Sequence, residues 1–157
     1  MLDAIRSRLY RLGFNLFPAY RRTGGRVTYI APDWREVRVE LPLSWRTRNY
    51  VGTIFGGSMY AAVDPFYMMM LLKNLGNEYV VWDKEAEIRF KKPGRETLYA
   101  RCTITDEEIA AIEAELATDG TESVDRHYTV ELVDSEGTVH ATVRNTVYVT
   151  TDREKAA

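Results

Sequence analysis

The chain has 157 residues, 45% of them hydrophobic and 28% charged, with a formal net charge of -2. That is the length and balance of one globular domain able to bury a core, and the overall charge gives no reason to expect a nucleic-acid partner. A single cysteine excludes an internal disulfide framework and suits a reducing, cytoplasmic location.

The charge is unevenly spread. Residues 1–26 hold six arginines and one aspartate (+5), and the rest of the chain holds 15 basic and 22 acidic residues (-7). Leu2, Ile5, Leu9, Leu12 and Leu16 recur at helical spacing with arginines between them, predicting an amphipathic helix over 2–17 that ends near Pro18. Arg6, Arg8 and Arg11 interrupt its apolar residues and no small-residue cleavage site follows, so it does not read as a secretory signal. Such a helix either meets a membrane surface or a partner, or packs on its own domain with its arginines in water. The expectation is the second, with residues 1–24 forming a helix packed on a domain over 25–152 and a frayed tail over 153–157.

Residues 25–31 read as a strand and 34–41 as a half-buried one, with Val37, Val39 and Leu41 alternating against Glu36, Arg38 and Glu40. Residues 42–55 form a long loop, and long loops in compact domains tend to be functional. It leads through Gly56-Gly57 into an apolar run, predicting a buried helix from about 57 to 74 with Gly76 as its stop. Pro65 within it implies either a kink or a new helical turn capped by Asp64. Asp64 is the one charge in this run, and a lone carboxylate there is costly to bury unless paired or put to use. Gly56 and Gly57 let another group approach backbone N–H donors at a helix start, where negative charge is favoured. Met68, Met69 and Met70 read either as plain core or as an adaptable surface for an acyl chain.

Four further strands follow, over 79–91, 96–105, 126–133 and 138–150, with a short helix or a solvated acidic excursion over 106–117. In the first of these, Val80, Trp82, Ala86, Ile88 and Phe90 share a face that Lys84 breaks; Trp82 and Lys84 are candidates for a pocket or its rim, although Lys84 can also reach solvent. The last has the cleanest alternation: Val139, Ala141, Val143, Asn145, Val147, Val149. Strands joined by tight turns and one long apolar helix give an α+β fold, with the helix covering an antiparallel sheet. One cysteine and two histidines do not make a zinc ligand set, and no nucleophile elbow, P-loop or dinucleotide fingerprint is present. His127 and His140 read as surface or interstrand residues and Cys102 as core.

The spacing Asn49-x-x-Gly52-x-x-x-Gly56-Gly57, with Asp64 seven residues on, resembles the hotdog-fold acyl-CoA thioesterases, and among these the phenylacetyl-CoA thioesterase type. The Phe-Gly-Gly and Asp-Pro variant is similar to an uncharacterised subfamily of hotdog proteins, also found fused behind acetyltransferase domains. The resemblance covers roughly Gly25 to Asp152. The departure is Phe55, where the better-known enzymes have histidine. The resemblance implies a long central helix wrapped by an antiparallel sheet of five to six strands, and a homodimer or a dimer of dimers whose sheets join edge to edge. It implies no cofactor, and an acyl-CoA or other acyl thioester as substrate. Asp64 would be general base or attacking carboxylate, the Gly57 N–H the oxyanion donor, and Asn49 either a donor near the reacting water or a loop-shaping residue. Phe55, Gly56, Ser58, Met68, Trp82 and Lys84 would meet substrate. Seven residues of helix span roughly 10 Å, so Gly57 and Asp64 are expected to meet one carbonyl only across a dimer. Phe55 makes the pocket more apolar, which leaves open a non-catalytic acyl or fatty-acid binder.

Overall fold

A computed structural model describes residues 2–152. The tail expected to fray, 153–157, lies outside them. The elements run α1 (Leu2–Leu16), α2 (Pro18–Thr23), β1 (Arg26–Ile30), β2 (Glu36–Leu41), α3 (Gly56–Ala61), α4 (Phe66–Leu75), β3 (Val80–Phe90), β4 (Leu98–Thr103), α5 (Asp106–Leu116), β5 (Ser123–Val133) and β6 (Val139–Thr150). The six strands form one antiparallel sheet in the order β1-β2-β4-β5-β6-β3. Its apolar face wraps the central helical segment. Val37, Val39 and Leu41, Leu98 and Cys102, and Val143, Val147 and Val149 pack with Phe66, Met70 and Leu71 in one core. Among the described residues, no helix is long and apolar enough to cross a membrane.

The central segment is helical as expected but comes in two pieces. Proline lacks an N–H, and its ring clashes with the carbonyl four residues back, here Ala61. Pro65 accordingly sits at the N-cap of α4 with no side-chain cap bond. Asp64 therefore does not cap this turn. Phe66 N–H turns to the Val63 carbonyl at 3.4 Å, which leaves the Ala62 carbonyl free to accept from the buried Tyr20 hydroxyl of α2 at 2.9 Å. Burial raises the Tyr20 pKa, so this donor keeps its proton. The helix α2 was not anticipated; Pro18 ends α1 but supplies the preset φ of a first helical turn.

The orientation of α1 departs from the sequence reading. The helix packs on the domain, but its leucines face away. Its inner face is Ser7, Tyr10, Phe14 and Asn15. The Tyr10 ring lies 5.1 Å from Trp34 and the Phe14 ring 5.5 Å from Phe66. The polar residues cover the β1 edge: Ser7 Oγ donates to the Ile30 carbonyl, Arg11 to the Thr28 carbonyl at 3.1 Å, and the Asn15 amide exchanges two bonds with Val27 at 2.8 and 2.9 Å. Side chains thus fill an edge that would otherwise offer bare ladder groups.

The acidic segment after β4 is a helix, α5. Thr105 caps it by accepting from Glu108 N–H at 3.2 Å, and three acids sit in its first turn, where the helix dipole favours them. The β4–β5 seam is unusual. Its registered pairing is Tyr99 with Val133. Beyond it, Tyr67 of α4 donates its hydroxyl to the Thr129 carbonyl at 3.2 Å, and its ring stacks on Tyr128 at 4.5 Å.

Replacing Tyr20 by Phe strands the Ala62 carbonyl in an apolar setting, an expected cost of about 1–3 kcal/mol. A lowered denaturant midpoint with an unchanged slope would show this; an unchanged midpoint would remove Tyr20 from its role at the helix break.

Candidate active site

The Asn49–Gly57 stretch has a local explanation. Asn49 Oδ1 accepts from the Val51 and Thr53 N–H groups at 3.1 and 3.0 Å, and its Nδ2 donates to Thr53 Oγ1 at 2.8 Å. Gly52 takes a φ of 84°, which favours glycine. Asn49 and Gly52 thus build one turn, and Asn49 has its amide engaged within its own loop. Phe55 is the N-cap of α3, with its N–H on the Thr47 carbonyl at 2.7 Å. Its ring lies over Gly57: a Cβ there would stand 2.4 Å from Phe55 Cε1. A Cβ on Gly56 would come within 2.8 Å of the Phe90 ring. Each glycine thus lets an exposed aromatic ring lie close to the backbone here. Their N–H groups fall in the first turn of α3, which has no intrahelical acceptors. Gly57 is exposed, whereas Ser58 is buried in the helix.

Asp64 lies elsewhere. It is half-buried in the turn between α3 and α4, with Met68 beside it on the wall of an apolar cavity of about 570 Å³. Phe14, Phe17, Tyr20 and Met69 also line it, and Asp64 is its one carboxylate. Asp64 Oδ1 accepts from the Tyr60 hydroxyl at 2.5 Å. Asn49 and Gly56 line a separate hollow with Phe90, Lys91 and Lys92. One chain thus brings Asp64 and Met68 together, and Asn49 and Gly56 together, but not the two groups with each other.

Trp82 and Lys84 fall on the other face of the sheet. Val81 is buried and packs inward, so Trp82 points outward opposite Tyr148. A bulge between Asp83 and Glu85 then shifts the register, leaving Lys84 unpaired and returning Ala86, Ile88 and Phe90 to the helix side. Lys84 reaches Asp125 at 2.6 Å and the Tyr148 ring on the outer face. The bulge is the physical reason Lys84 broke the alternation.

Two residues near Asp64 were missed. Tyr60, four positions earlier on one helical face, carried a usable signal in its spacing. Asp83 carried none, because the bulge hides its direction. It shares the inward face of Val81 while keeping part of its surface in water, and its carboxyl is pushed up to about 6, first by partial desolvation and then by the charge of Asp64. The Tyr60 hydroxyl is also raised, by burial and then by its bond to Asp64. The histidines serve structure: His140 bridges the Pro93 carbonyl at 3.1 Å and Asp134 at 3.0 Å, and His127 meets Thr146 at 3.1 Å. Cys102 is buried, its thiol pushed up to about 12. Among the described residues no cluster of His, Cys, Asp and Glu could hold a metal.

Asp83 has a pH signature. Its folded value of about 6 lies above the ordinary carboxylate value near 4. Between these limits the folded chain holds a proton that the unfolded chain has lost, so stability falls as pH rises through that window. Asp83→Asn should flatten this fall, followed as thermal midpoints at a series of pH values. A fall of the same size in the variant would assign it to another group.

Against known proteins, residues 6–149 match a domain of unknown function, DUF4442. No curated protein matches the chain. Similar solved structures include the Pseudomonas aeruginosa protein PA5026, of unknown function and named a probable thioesterase. It has 20% identity and a TM-score of 0.79, over 91% of this chain and 94% of that one. A protein of unknown function from Chlorobaculum tepidum has 14% identity and a TM-score of 0.71, over 96% of each chain. The Haemophilus influenzae thioesterase HI1161 has 15% identity and a TM-score of 0.63, over 94% of this chain and 87% of that one. At these identities the likeness is one of fold, the hotdog fold of thioesterase-like proteins. With more than half of its length matched, the chain belongs to the DUF4442 family.

Proposed function

We propose that the protein hydrolyses acyl thioesters as a homodimer. The observation that carries this reading is the placement of Asp64: the single carboxylate on an apolar cavity whose volume is that of a small-ligand site. The acyl chain would lie against Phe14, Phe17, Met68 and Met69, and the methionines let the cavity adapt to chain shape. Asp64 is positioned by Tyr60 through one oxygen, leaving the other for water. Asp64 takes a proton from that water as its oxygen attacks the thioester carbon, or attacks the carbon itself to give an anhydride that water then opens. The C–S bond breaks, the thiol leaves with a proton, and the acid is released. The Gly57 N–H would hold the carbonyl oxygen as charge develops there, an interaction worth roughly 3–4 kcal/mol per donor in known cases.

Within one chain Gly56, next to Gly57, lines a different hollow from Asp64, so the proposed site needs a second copy. The β3 edge is suited to supply it. It is the end strand of the sheet, its outer edge lies open, and Ala86 and Phe90 on its helix side are exposed. Tyr50, Val51 and Phe55 are exposed in the loop before α3. Pairing two β3 strands would continue the sheet across the dimer and cover an edge that invites association. Lys91 and Lys92 flank the Gly56 hollow and suit the phosphates of a CoA thioester.

One observation favours a second reading, a non-catalytic acyl or fatty-acid binder. The Phe55 ring stands beside the exposed Gly57, placing an apolar group next to where the oxyanion would form.

The test is release of free thiol from short, aromatic and long acyl-CoAs. Asp64→Asn should lower turnover by about 10²–10⁴-fold, in a protein that sediments as a dimer. Tight acyl-CoA binding without turnover by wild type would select the binder. Turnover unchanged in the variant would remove Asp64 from the mechanism, and an active monomer would remove the shared site.

A further inference from the structure

The exposed face of α1 is not accounted for by the fold or by the proposed reaction. Leu2, Ile5, Leu9, Leu12 and Leu16 are between 49% and 76% exposed, and they form one continuous stripe pointing away from the domain. At about 100° per residue, the stripe spans slightly less than a quarter of the helix circumference. Arg6 and Arg8 stand on either side of it, roughly 80° from its centre. Asp3 falls round toward the docked side, where Ser7, Tyr10 and Phe14 hold the helix to the domain. Arg21 and Arg22 follow in α2. A helix rigidly attached by one face, with an aliphatic ridge on the other and cations along both flanks, has the form of an interfacial helix.

We infer that α1 docks the protein on an anionic lipid bilayer, its aliphatic stripe among the acyl chains and its arginines at the headgroups. Charge complementarity selects this occupant. The first 26 residues carry +5 in a chain of net charge -2, so the basic excess is concentrated at the end that bears the stripe. A second copy pairing through the same stripe would bring arginines against arginines. The stripe also leads to a useful place. It ends at Leu16 and the exposed Phe17, and Phe17 lies on the wall of the apolar cavity together with Gly13 and Phe14. A bilayer against α1 therefore meets the same end of the molecule as that cavity, and an acyl chain could pass between them with little exposure to water. This last step rests on the acyl-cavity reading above; the docking does not.

The test is flotation of the full chain with phosphatidylcholine vesicles, with and without phosphatidylglycerol. Wild type should float with the anionic vesicles, much less with the neutral ones, and less at high salt. Replacing Arg6 and Arg8 by Gln should weaken partition about thirtyfold, at about fivefold for each basic residue near an anionic surface. Leu9→Glu with Leu12→Glu should abolish flotation while leaving the thermal midpoint unchanged, because both side chains are exposed. Hydrolysis of short acyl thioesters should also be unchanged in that double variant. Equal flotation of wild type and the double variant overturns the inference. So does an absence of flotation by wild type; if the double variant then also loses a higher oligomer, the stripe belongs to a second copy. Flotation without hydrolysis keeps the bilayer contact and removes the proposed reaction, and hydrolysis without flotation does the reverse.

Discussion

The structure turns on the missing N–H of Pro65. A continuous helix through the core would satisfy its own backbone and carry Asp64 on a regular face. The proline prevents this: Phe66 N–H turns to the Val63 carbonyl, and the Ala62 carbonyl it leaves must find a donor from elsewhere in the chain. Tyr20 supplies it. The cost of the break is thereby tied to α2, and α2 to the strand that follows, because Gly25 has room for neither a side chain nor a shifted Tyr20: a Cβ there would stand 2.9 Å from the Tyr20 hydroxyl. The same break puts Asp64 in a turn, where a carboxylate can be half-buried and face a cavity without interrupting an apolar helix face.

The two ends of the sheet are treated differently. At β1, α1 supplies ladder partners from its own side chains, so that edge is finished within one chain. At β3 nothing comparable is present among the described residues, and the strand is exposed over most of its length on both faces. A sheet with one closed and one open edge can pair once and then stop, which favours a closed dimer over a growing array.

Much of this was legible in the sequence. The alternation of β6 and of β2 fixes which residues face the core, because a period of two allows one inward set. The apolar run after Gly57 and the Asp64-Pro65 pair located the central segment and its interruption. Other features depended on contacts between distant residues. Leucines at helical spacing say that a helix has an apolar face, not that this face touches its own domain. The bonds of Ser7, Arg11 and Asn15 to β1 decide that, and they are made with a strand up to 23 residues away. The bulge at Lys84 likewise has no local marker, so Trp82 and Lys84 were given to the wrong face and Asp83 was overlooked. Asn49 and Gly52 had a spacing suggestive of chemistry, which their own turn accounts for.

The Tyr67 hydroxyl in the β4–β5 seam has a mechanical consequence. Along most of the sheet, widening the curve would break a run of backbone bonds together. At this seam a single phenol holds the Thr129 carbonyl, and the Tyr67–Tyr128 ring pair can slide without losing its stacking. The seam is thus a pleat in an otherwise stiff wrapper. Load on the sheet around α4 therefore concentrates at this seam, between the hydrogen-bonded halves β1-β2-β4 and β5-β6-β3.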